Sequence, residues 1–72
     1  MTETPRMHRD TARALLIEKG FLAETDATDD WWLVFYGDHV EVSVDVTPKG
    51  GVTRKEVFWS SFDGRTIKRL DD

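Results

Sequence analysis

Two histidines and three serines are the residues of this sequence best suited to nucleophilic or acid–base catalysis. His8 falls in a predicted helix and His39 beside a predicted turn, while Ser43, Ser60 and Ser61 fall in predicted strands. Hydrolytic catalysis needs a nucleophile, a base and a third group that orients the base. The predicted pairing brings only His39 opposite Ser60. A single pair is not a triad, so we predict no catalytic residue and a protein that is not an enzyme.

The sequence also offers little for holding a metal or a cofactor. It contains no Cys, which excludes zinc held by thiolates and leaves the fold without disulfides. Asp26, Asp29 and Asp30 lie close in sequence, but they lack the alternating ligands and the central glycine of a calcium-binding loop. Gly50-Gly51 has no helix predicted after it, as a phosphate-binding loop would need. We therefore expect no metal and no cofactor.

The acidic residues are concentrated in the middle of the chain. Residues 21–47 contain seven acidic residues and no Lys or Arg, although the net charge of the whole chain is only −4. An acidic block of this kind repels phosphate and attracts basic partners. It is also typical of a solvated face that keeps a small protein soluble, so both interpretations stay open. The seven residues are Glu24, Asp26, Asp29, Asp30, Asp38, Glu41 and Asp45.

These residues must be positioned by one small domain, because 72 residues have room for one core. Thr4-Pro5 is typical of a helix start and Gly20 of a helix end, which predicts a helix over about residues 5–19. The polar segment 23–30 has no apolar period and is predicted to be a loop. No apolar run reaches the ~18 residues of a membrane span, and the start lacks a secretory signal. We expect a soluble, cytoplasmic protein that does not contact membranes.

From Trp31 onward the pattern changes to that of β-strands. Every second residue from Val40 to Val46 is a valine, so this strand has one buried face. Turn signals at Gly37-Asp38, after Thr47 and at Asp63-Gly64 separate the strands. We therefore expect an α+β fold with one N-terminal helix packed on one face of a three- or four-stranded antiparallel meander sheet. The predicted strands cover about residues 31–36, 39–47, 52–62 and 65–70.

The turns also predict which residues face each other. Tyr36 opposite His39 places Trp32 opposite Ser43, and it directs Trp32, Val34 and Tyr36 away from the helix. In the second hairpin, Thr47 opposite Val52 sets Asp45 against Arg54 and Glu41 against Phe58. In the third, Leu70 lies near Val57 on the core side. The core predicted from these registers consists of Leu15, Leu16, Leu33, Phe35, Val40, Val42, Val44, Val57 and Trp59.

The face of the sheet away from the helix is predicted to carry large apolar residues, which a helix-on-sheet domain does not require there. The residues concerned are Trp32, Val34, Tyr36, Phe58, Phe62 and Ile67. Aromatic residues anchor protein interfaces, and carboxylates steer towards basic surfaces. We therefore predict a partner-binding site with Trp32, Val34, Tyr36 and Phe58 as anchors and Glu41, Asp45, Asp29, Asp30 and Asp38 as steering charges.

The expected partner of this face is a basic protein or protein complex, with no direct contact to nucleic acid. Glu41 and Asp45 lie four residues apart on one strand, so ~3.3 Å per residue separates them by about 13 Å. This is near two steps of a phosphate backbone, which makes mimicry of nucleic acid an alternative. Homodimer formation through the same face is another alternative. A register error that returns Phe58, Phe62 or Ile67 to the helix side is a third.

Two resemblances add expectations of their own. The chain is similar to small phage-encoded inhibitors of bacterial defence, such as anti-CRISPR proteins, in size, acidity and absence of cysteine. This likeness implies an inhibitor of a nucleic-acid-handling complex in the host cytoplasm. It assigns no role to any particular residue of this chain. The helix ending Leu-Leu-Ile-Glu-Lys-Gly-Phe (15–21) and the Gly-Asp-His turn (37–39) resemble the HicA-type toxin RNases. That second resemblance implies His39 as a catalytic residue.

Overall fold

The computed structural model of the protein describes residues 8–70, which form one α-helix followed by one antiparallel sheet. The sheet has four strands in the order β1-β2-β3-β4, so the α+β meander expected from the sequence is confirmed. No helix among the described residues is long and apolar enough to span a membrane. The elements are α1 (Arg9–Glu18), β1 (Ala27–Phe35), β2 (Val40–Thr47), β3 (Arg54–Ser60) and β4 (Ile67–Arg69).

Helix α1 covers one face of the sheet and is shorter than predicted. His8 is extended (φ −96°, ψ 164°), so the helix begins at Arg9; the predicted start at Thr4-Pro5 lies outside the described residues. The chain leaves the helix at Gly20, where φ is +90°, a conformation that glycine adopts without steric cost. Ala12 and Leu16 are fully buried against the sheet.

The segment expected to be a loop already contains the start of β1. Ala27 to Asp29 pair with β2 in a register one residue different from that of the rest of the strand, and a β-bulge between Asp29 and Trp32 accommodates the shift. Asp30, inside the bulge, has a positive φ of 54°. Arg13 of the helix holds the preceding loop, because its guanidinium donates hydrogen bonds to two backbone carbonyls there and to the Thr28 hydroxyl. The loop is therefore shorter than predicted.

The first hairpin has the predicted register and the second does not. Trp32 lies opposite Ser43, as expected, whereas Phe58 lies opposite Val42 instead of Glu41. The second turn is one residue longer than predicted, since Val46 pairs with Arg54, and the hydroxyls of Thr47 and Thr53 are hydrogen-bonded across it at 2.6 Å. Val52 is consequently left in the loop, 84% exposed. A shift of one residue turns every side chain of a strand to the opposite face, so the predicted faces of β3 were wrong.

The shift exchanges the residues of β3 between core and surface. Phe58 is fully buried under the helix, where its ring centroid lies 5.2 Å from that of Phe21. Val57 and Trp59 lie on the opposite face, so their predicted place in the core was wrong. Phe35 points to the helix side but is 47% exposed. The buried apolar core consists of Ala12, Leu16, Leu22, Val40, Val42, Val44, Val46 and Phe58, with Leu15 and Leu33 packed against it.

Strand β4 pairs with β3 in the predicted register but with its faces reversed. Ile67 lies opposite Ser60 and Arg69 opposite Phe58, both of which face the helix. Ile67 and Phe62 therefore pack against the core instead of pointing outward as predicted. Leu70, predicted on the core side, is 42% exposed. The sheet residues that face away from the helix differ accordingly from the predicted set.

A buried carboxylate links β3 to β4 on the helix side. The Glu56 side chain is 2% exposed and forms ion pairs with the guanidinium groups of Arg54 and Arg69. The Arg69 guanidinium also lies 5.3 Å from the ring of Phe58 and 5.6 Å from that of Phe21. The charge of Glu56 is thus compensated inside an apolar region, as a buried charge requires.

Candidate functional site

The candidate site is the sheet face opposite the helix, which we call the open face. Because the sheet is antiparallel, side chains that lie opposite each other on neighbouring strands form rows across it. Its central row runs from Val34 through Glu41 and Trp59 to Lys68. The open face comprises Asp29, Trp32, Val34, Tyr36, His39, Glu41, Ser43, Asp45, Lys55, Val57, Trp59, Lys68 and Leu70.

Large apolar and aromatic side chains dominate the open face. Trp32 is 69% exposed, and Tyr36 is 48% exposed. Val34, Val57 and Trp59 are half-buried by their neighbours on the same face. A sheet face in contact with water normally carries polar residues, and an apolar patch rimmed by charges is typical of an interaction surface. The sequence prediction of an aromatic patch on this face agrees with these positions, although one anchor is different.

Phe58 was predicted as an anchor of the open face, and this prediction was wrong because Phe58 is fully buried. Trp59, its neighbour, occupies the open face instead, opposite Glu41. Lys55 also replaces Arg54 as the residue opposite Asp45. The signal that could have revealed this register is the pair of threonines at the ends of the second turn.

An aromatic ladder crosses the open face near the first turn. The ring centroids of Tyr36 and His39 are 4.7 Å apart with an interplanar angle of 15°, and those of His39 and Trp59 are 5.5 Å apart with an angle of 18°. These spacings are close to the distance between neighbouring strands, about 4.8 Å. The Lys68 ammonium lies 5.0 Å from the Trp59 ring centroid. His39 has a ring on each side, so the three rings form a continuous stack across the face.

The first turn contributes a carboxylate that orients His39. The Nδ1 atom of His39 lies 2.6 Å from a carboxylate oxygen of Asp38. This hydrogen bond lowers the pKa of Asp38 below its ordinary value of 3.8. The side chain of Asp38 is 85% exposed, so its charge is presented to solvent beside the aromatic ladder.

Glu41, in the central row, interacts with Tyr36 of the aromatic ladder. By accepting a hydrogen bond from the Tyr36 hydroxyl and by its negative charge, Glu41 raises the pKa of Tyr36 above its ordinary value of 10.0. A carboxylate close to a phenol disfavours the phenolate, because the two negative charges repel. Tyr36 and Glu41 are thus coupled across the first hairpin.

The other predicted acidic residues gather at the far end of the open face. Asp29 lies opposite Asp45 in the β1–β2 pair, and Asp45 forms an ion pair with Lys55 at 3.6 Å. Asp30 lies in the bulge, beside Trp32. Asp29 and Asp30 therefore have the more available charges, because Lys55 partly neutralises Asp45.

The structure shows where the predicted His39–Ser60 pair lies and how the possible metal ligands are arranged. The predicted pairing of His39 with Ser60 was wrong, because Ser60 lies opposite Val40 and is fully buried. Its hydroxyl donates to the carbonyl of Ser61 at 2.9 Å. Within residues 8–70, no group of three or more His, Asp or Glu side chains comes together to hold a metal ion.

Comparison of the chain with protein-family models, with curated proteins and with solved structures found no match. The resemblances to anti-CRISPR proteins and to HicA-type toxins stay predictions.

Proposed function

We propose that the protein is a non-enzymatic binding module whose open face docks on a protein with a basic surface. The observation that carries this proposal is the joint presence of Trp32, 69% exposed, and Tyr36, 48% exposed, on one face with unneutralised carboxylates. Tryptophan and tyrosine are enriched among residues that dominate binding energy. Trp32 lies in β1 and Tyr36 directly follows it, so the backbone that carries them is already ordered and little conformational entropy is lost when they bind.

The charges of the open face favour a basic partner. Its acidic residues outnumber its lysines, and each lysine already has an interaction, Lys55 with Asp45 and Lys68 with the Trp59 ring. A surface with this balance attracts a basic protein and repels the phosphates of nucleic acid. In addition, both faces of the His39 ring are occupied by aromatic neighbours. That ring is consequently unsuited to stacking with bases.

The class of target that we propose is a nucleic-acid-handling protein complex. Such complexes present basic grooves, and an acidic module that occupies a groove inhibits the complex by competition. The resemblance in size and charge to phage-encoded inhibitors supports the same role, and with it we propose a cytoplasmic location, in the host cytoplasm if the protein is phage-encoded. The row of carboxylates on β2 supports partial mimicry of a phosphate backbone.

A second candidate function is RNA cleavage by His39. The observation that favours it is the hydrogen bond between His39 Nδ1 and Asp38, because a carboxylate in this position orients a histidine that acts as a base. Incubation of the full chain with single-stranded and double-stranded RNA tests this function. Cleavage that is lost in His39→Ala would replace the binding proposal with a nuclease.

Affinity capture from an extract of the source cell tests the proposed function. The immobilised full chain should retain a basic protein, and Trp32→Ala should lose it. Val52→Ala is the matched control, because Val52 is 84% exposed but lies in the second turn, outside the open face. Equal retention by Trp32→Ala would contradict the proposal. A wild-type dimer in sedimentation that Trp32→Ala dissociates would identify the occupant as a second copy, which would also contradict it.

A further inference from the structure

Glu41 occupies the centre of the open face without an ion-pair partner among the described residues. It lies opposite Val34 on one side and opposite Trp59 on the other, and it is half-buried. The two lysines of the face are engaged elsewhere, since Lys55 pairs with a different carboxylate and Lys68 lies over the Trp59 ring. The Tyr36 hydroxyl donates one hydrogen bond to Glu41, but a carboxylate offers about four acceptor sites. The negative charge of Glu41 is therefore left without a cationic partner among the described residues.

Aromatic rings lie on both sides of this carboxylate. Trp59 on β3 is its direct partner in the sheet, and Tyr36 follows β1 on the other side. His39 stacks between these two rings, at centroid distances of 4.7 and 5.5 Å, and keeps them parallel to within 18° of its own plane. Aromatic rings attract cations as the carboxylate does, and the Lys68 ammonium already lies 5.0 Å from the Trp59 ring centroid. The surroundings of Glu41 thus suit a cation with a flat apolar surface.

We infer that Glu41 binds an arginine side chain of the basic partner, with Tyr36 and Trp59 as the flanking aromatic residues. This inference rests on the proposed function and specifies one contact within it. A guanidinium group pairs with a carboxylate through two parallel hydrogen bonds and packs against aromatic rings. It is also more weakly hydrated than the ammonium group of lysine. Arginine therefore loses less hydration on this largely apolar surface, and the subsite selects it over lysine.

An NMR titration of the full chain tests the inference without the natural partner. The probe is N-acetyl-arginine methylamide, compared with the lysine compound and with the citrulline compound, which has the shape of arginine but no charge. The backbone amide of Glu41 and the indole N–H of Trp59 should shift with the arginine compound and at least threefold less with the lysine compound. They should not shift with the citrulline compound. Equal shifts with citrulline would overturn the inference.

Two variants separate this subsite from general attraction between opposite charges. Glu41→Gln should reduce the response to the arginine compound about tenfold, the loss expected when a hydrogen bond to a charged group is removed. Glu18→Gln is the matched control, because Glu18 is exposed on the helix, on the other side of the sheet, and it should respond as the wild type does. Thermal unfolding should show that Glu41→Gln is as stable as the wild type. An equal loss in both variants would overturn the inference.

Failure of this inference is distinguishable from failure of the proposed function. If the arginine compound causes no shift but Trp32→Ala still abolishes capture of the partner, the open face binds its target without an arginine at Glu41. If Trp32→Ala captures the partner as well as the wild type, the open face is not the binding site, and both proposals are overturned.

Discussion

Phe58 lies directly opposite Val42 on the helix side of the sheet, and both side chains are fully buried. Replacing a buried phenylalanine by alanine costs about 3–5 kcal/mol, because apolar contacts are lost and a cavity remains. Small domains have a total stability of similar size. Phe58→Ala should therefore be largely unfolded at 25 °C, as measured by far-UV circular dichroism and urea titration.

Val57→Ala is the matched comparison for this prediction. Val57 is the preceding residue of the same strand, but it lies on the open face and is only half-buried. Its truncation should cost about 1 kcal/mol or less. If the two variants unfolded at the same urea concentration, the register of β3 would be incorrect.

Removing Arg69 from its ion pair with Glu56 should destabilise the fold more than removing Glu56 itself. Glu56 is 2% exposed at its side chain and Arg69 is 37% exposed, so removing the arginine leaves the buried charge with a single partner. Arg69→Met should cost about 2 kcal/mol or more, since an uncompensated buried charge is strongly unfavourable. Glu56→Met removes the same contact, but the guanidinium groups that remain can reach water. This variant should therefore cost less stability than Arg69→Met. The free energy of unfolding from urea titration is the measurement.

The double variant Glu56→Met/Arg69→Met completes this comparison. It should be more stable than Arg69→Met alone, because no buried charge remains. Arg54→Ala should cost less than Arg69→Met, since the Arg54 side chain is 62% exposed and exposed ion pairs contribute little. Additive effects of the two methionine substitutions would contradict the coupling of Glu56 to Arg69.

The coupling of Tyr36 to Glu41 can be measured directly, because Tyr36 is the single tyrosine of the chain. Glu41 raises the pKa of Tyr36 above 10.0. The absorbance change of the phenolate at alkaline pH should therefore occur at a higher pH in the wild type than in Glu41→Gln. Glu18→Gln should titrate as the wild type does. Circular dichroism over the same pH range confirms that the chain stays folded, and identical titrations of Glu41→Gln and wild type would contradict the contact.

The first turn should contribute to stability in a pH-dependent way. The hydrogen bond from His39 lowers the pKa of Asp38, so the folded state favours the ionised carboxylate. The resulting stabilisation is present above the ordinary pKa of 3.8 and is lost as the pH falls through the lower value of the folded state. Thermal unfolding from pH 6 to pH 2 should therefore show a smaller loss of stability in Asp38→Asn than in the wild type. Parallel curves would contradict this prediction.

The first hairpin could be predicted from the sequence because two independent signals agree there. The Gly37-Asp38 turn and the alternating valines of β2 specify the same register, and Trp32 consequently lies on the predicted face. Such agreement between turn chemistry and hydrophobic pattern is what specifies a strand pairing. The open face and two of its exposed anchors, Trp32 and Tyr36, followed from this hairpin.

The register of the second hairpin was predicted incorrectly because the alternation in β3 fits either face and the two threonines of the turn were not used. Val57 and Trp59 form one apolar set, and Phe58 belongs to the other, next to the polar residue Glu56. The register that buries Phe58 also buries Glu56, and a glutamate in the core is unfavourable unless its charge is compensated. Its two arginine partners are Arg54, two residues away, and Arg69, which arrives from β4. The long-range ion pair is a tertiary effect that the local pattern does not contain, and it compensates the charge of Glu56 in the observed register.

The acidic end of the open face should control the rate at which a basic partner associates. Asp29 is exposed and lies opposite Asp45, while Lys55 partly neutralises Asp45 at 3.6 Å. Asp29→Lys should therefore lower the association rate more than Asp45→Lys. Rising salt should slow association of the wild type steeply, because the Debye length falls from ~10 Å at 0.1 M to ~3 Å at 1 M. The dissociation rate of Asp29→Lys should change little.

Trp32 should control the rate at which the complex dissociates. As an aromatic anchor that is 69% exposed in the free protein, it contributes contacts that form only in the complex. Trp32→Ala should therefore raise the dissociation rate about 30-fold, equivalent to about 2 kcal/mol, and leave the salt dependence of association unchanged. Surface plasmon resonance with the captured partner at two salt concentrations measures both rates. Salt-independent association, together with an unaffected Asp29→Lys variant, would reduce the acidic residues to a role in solubility and leave the aromatic patch as the binding determinant.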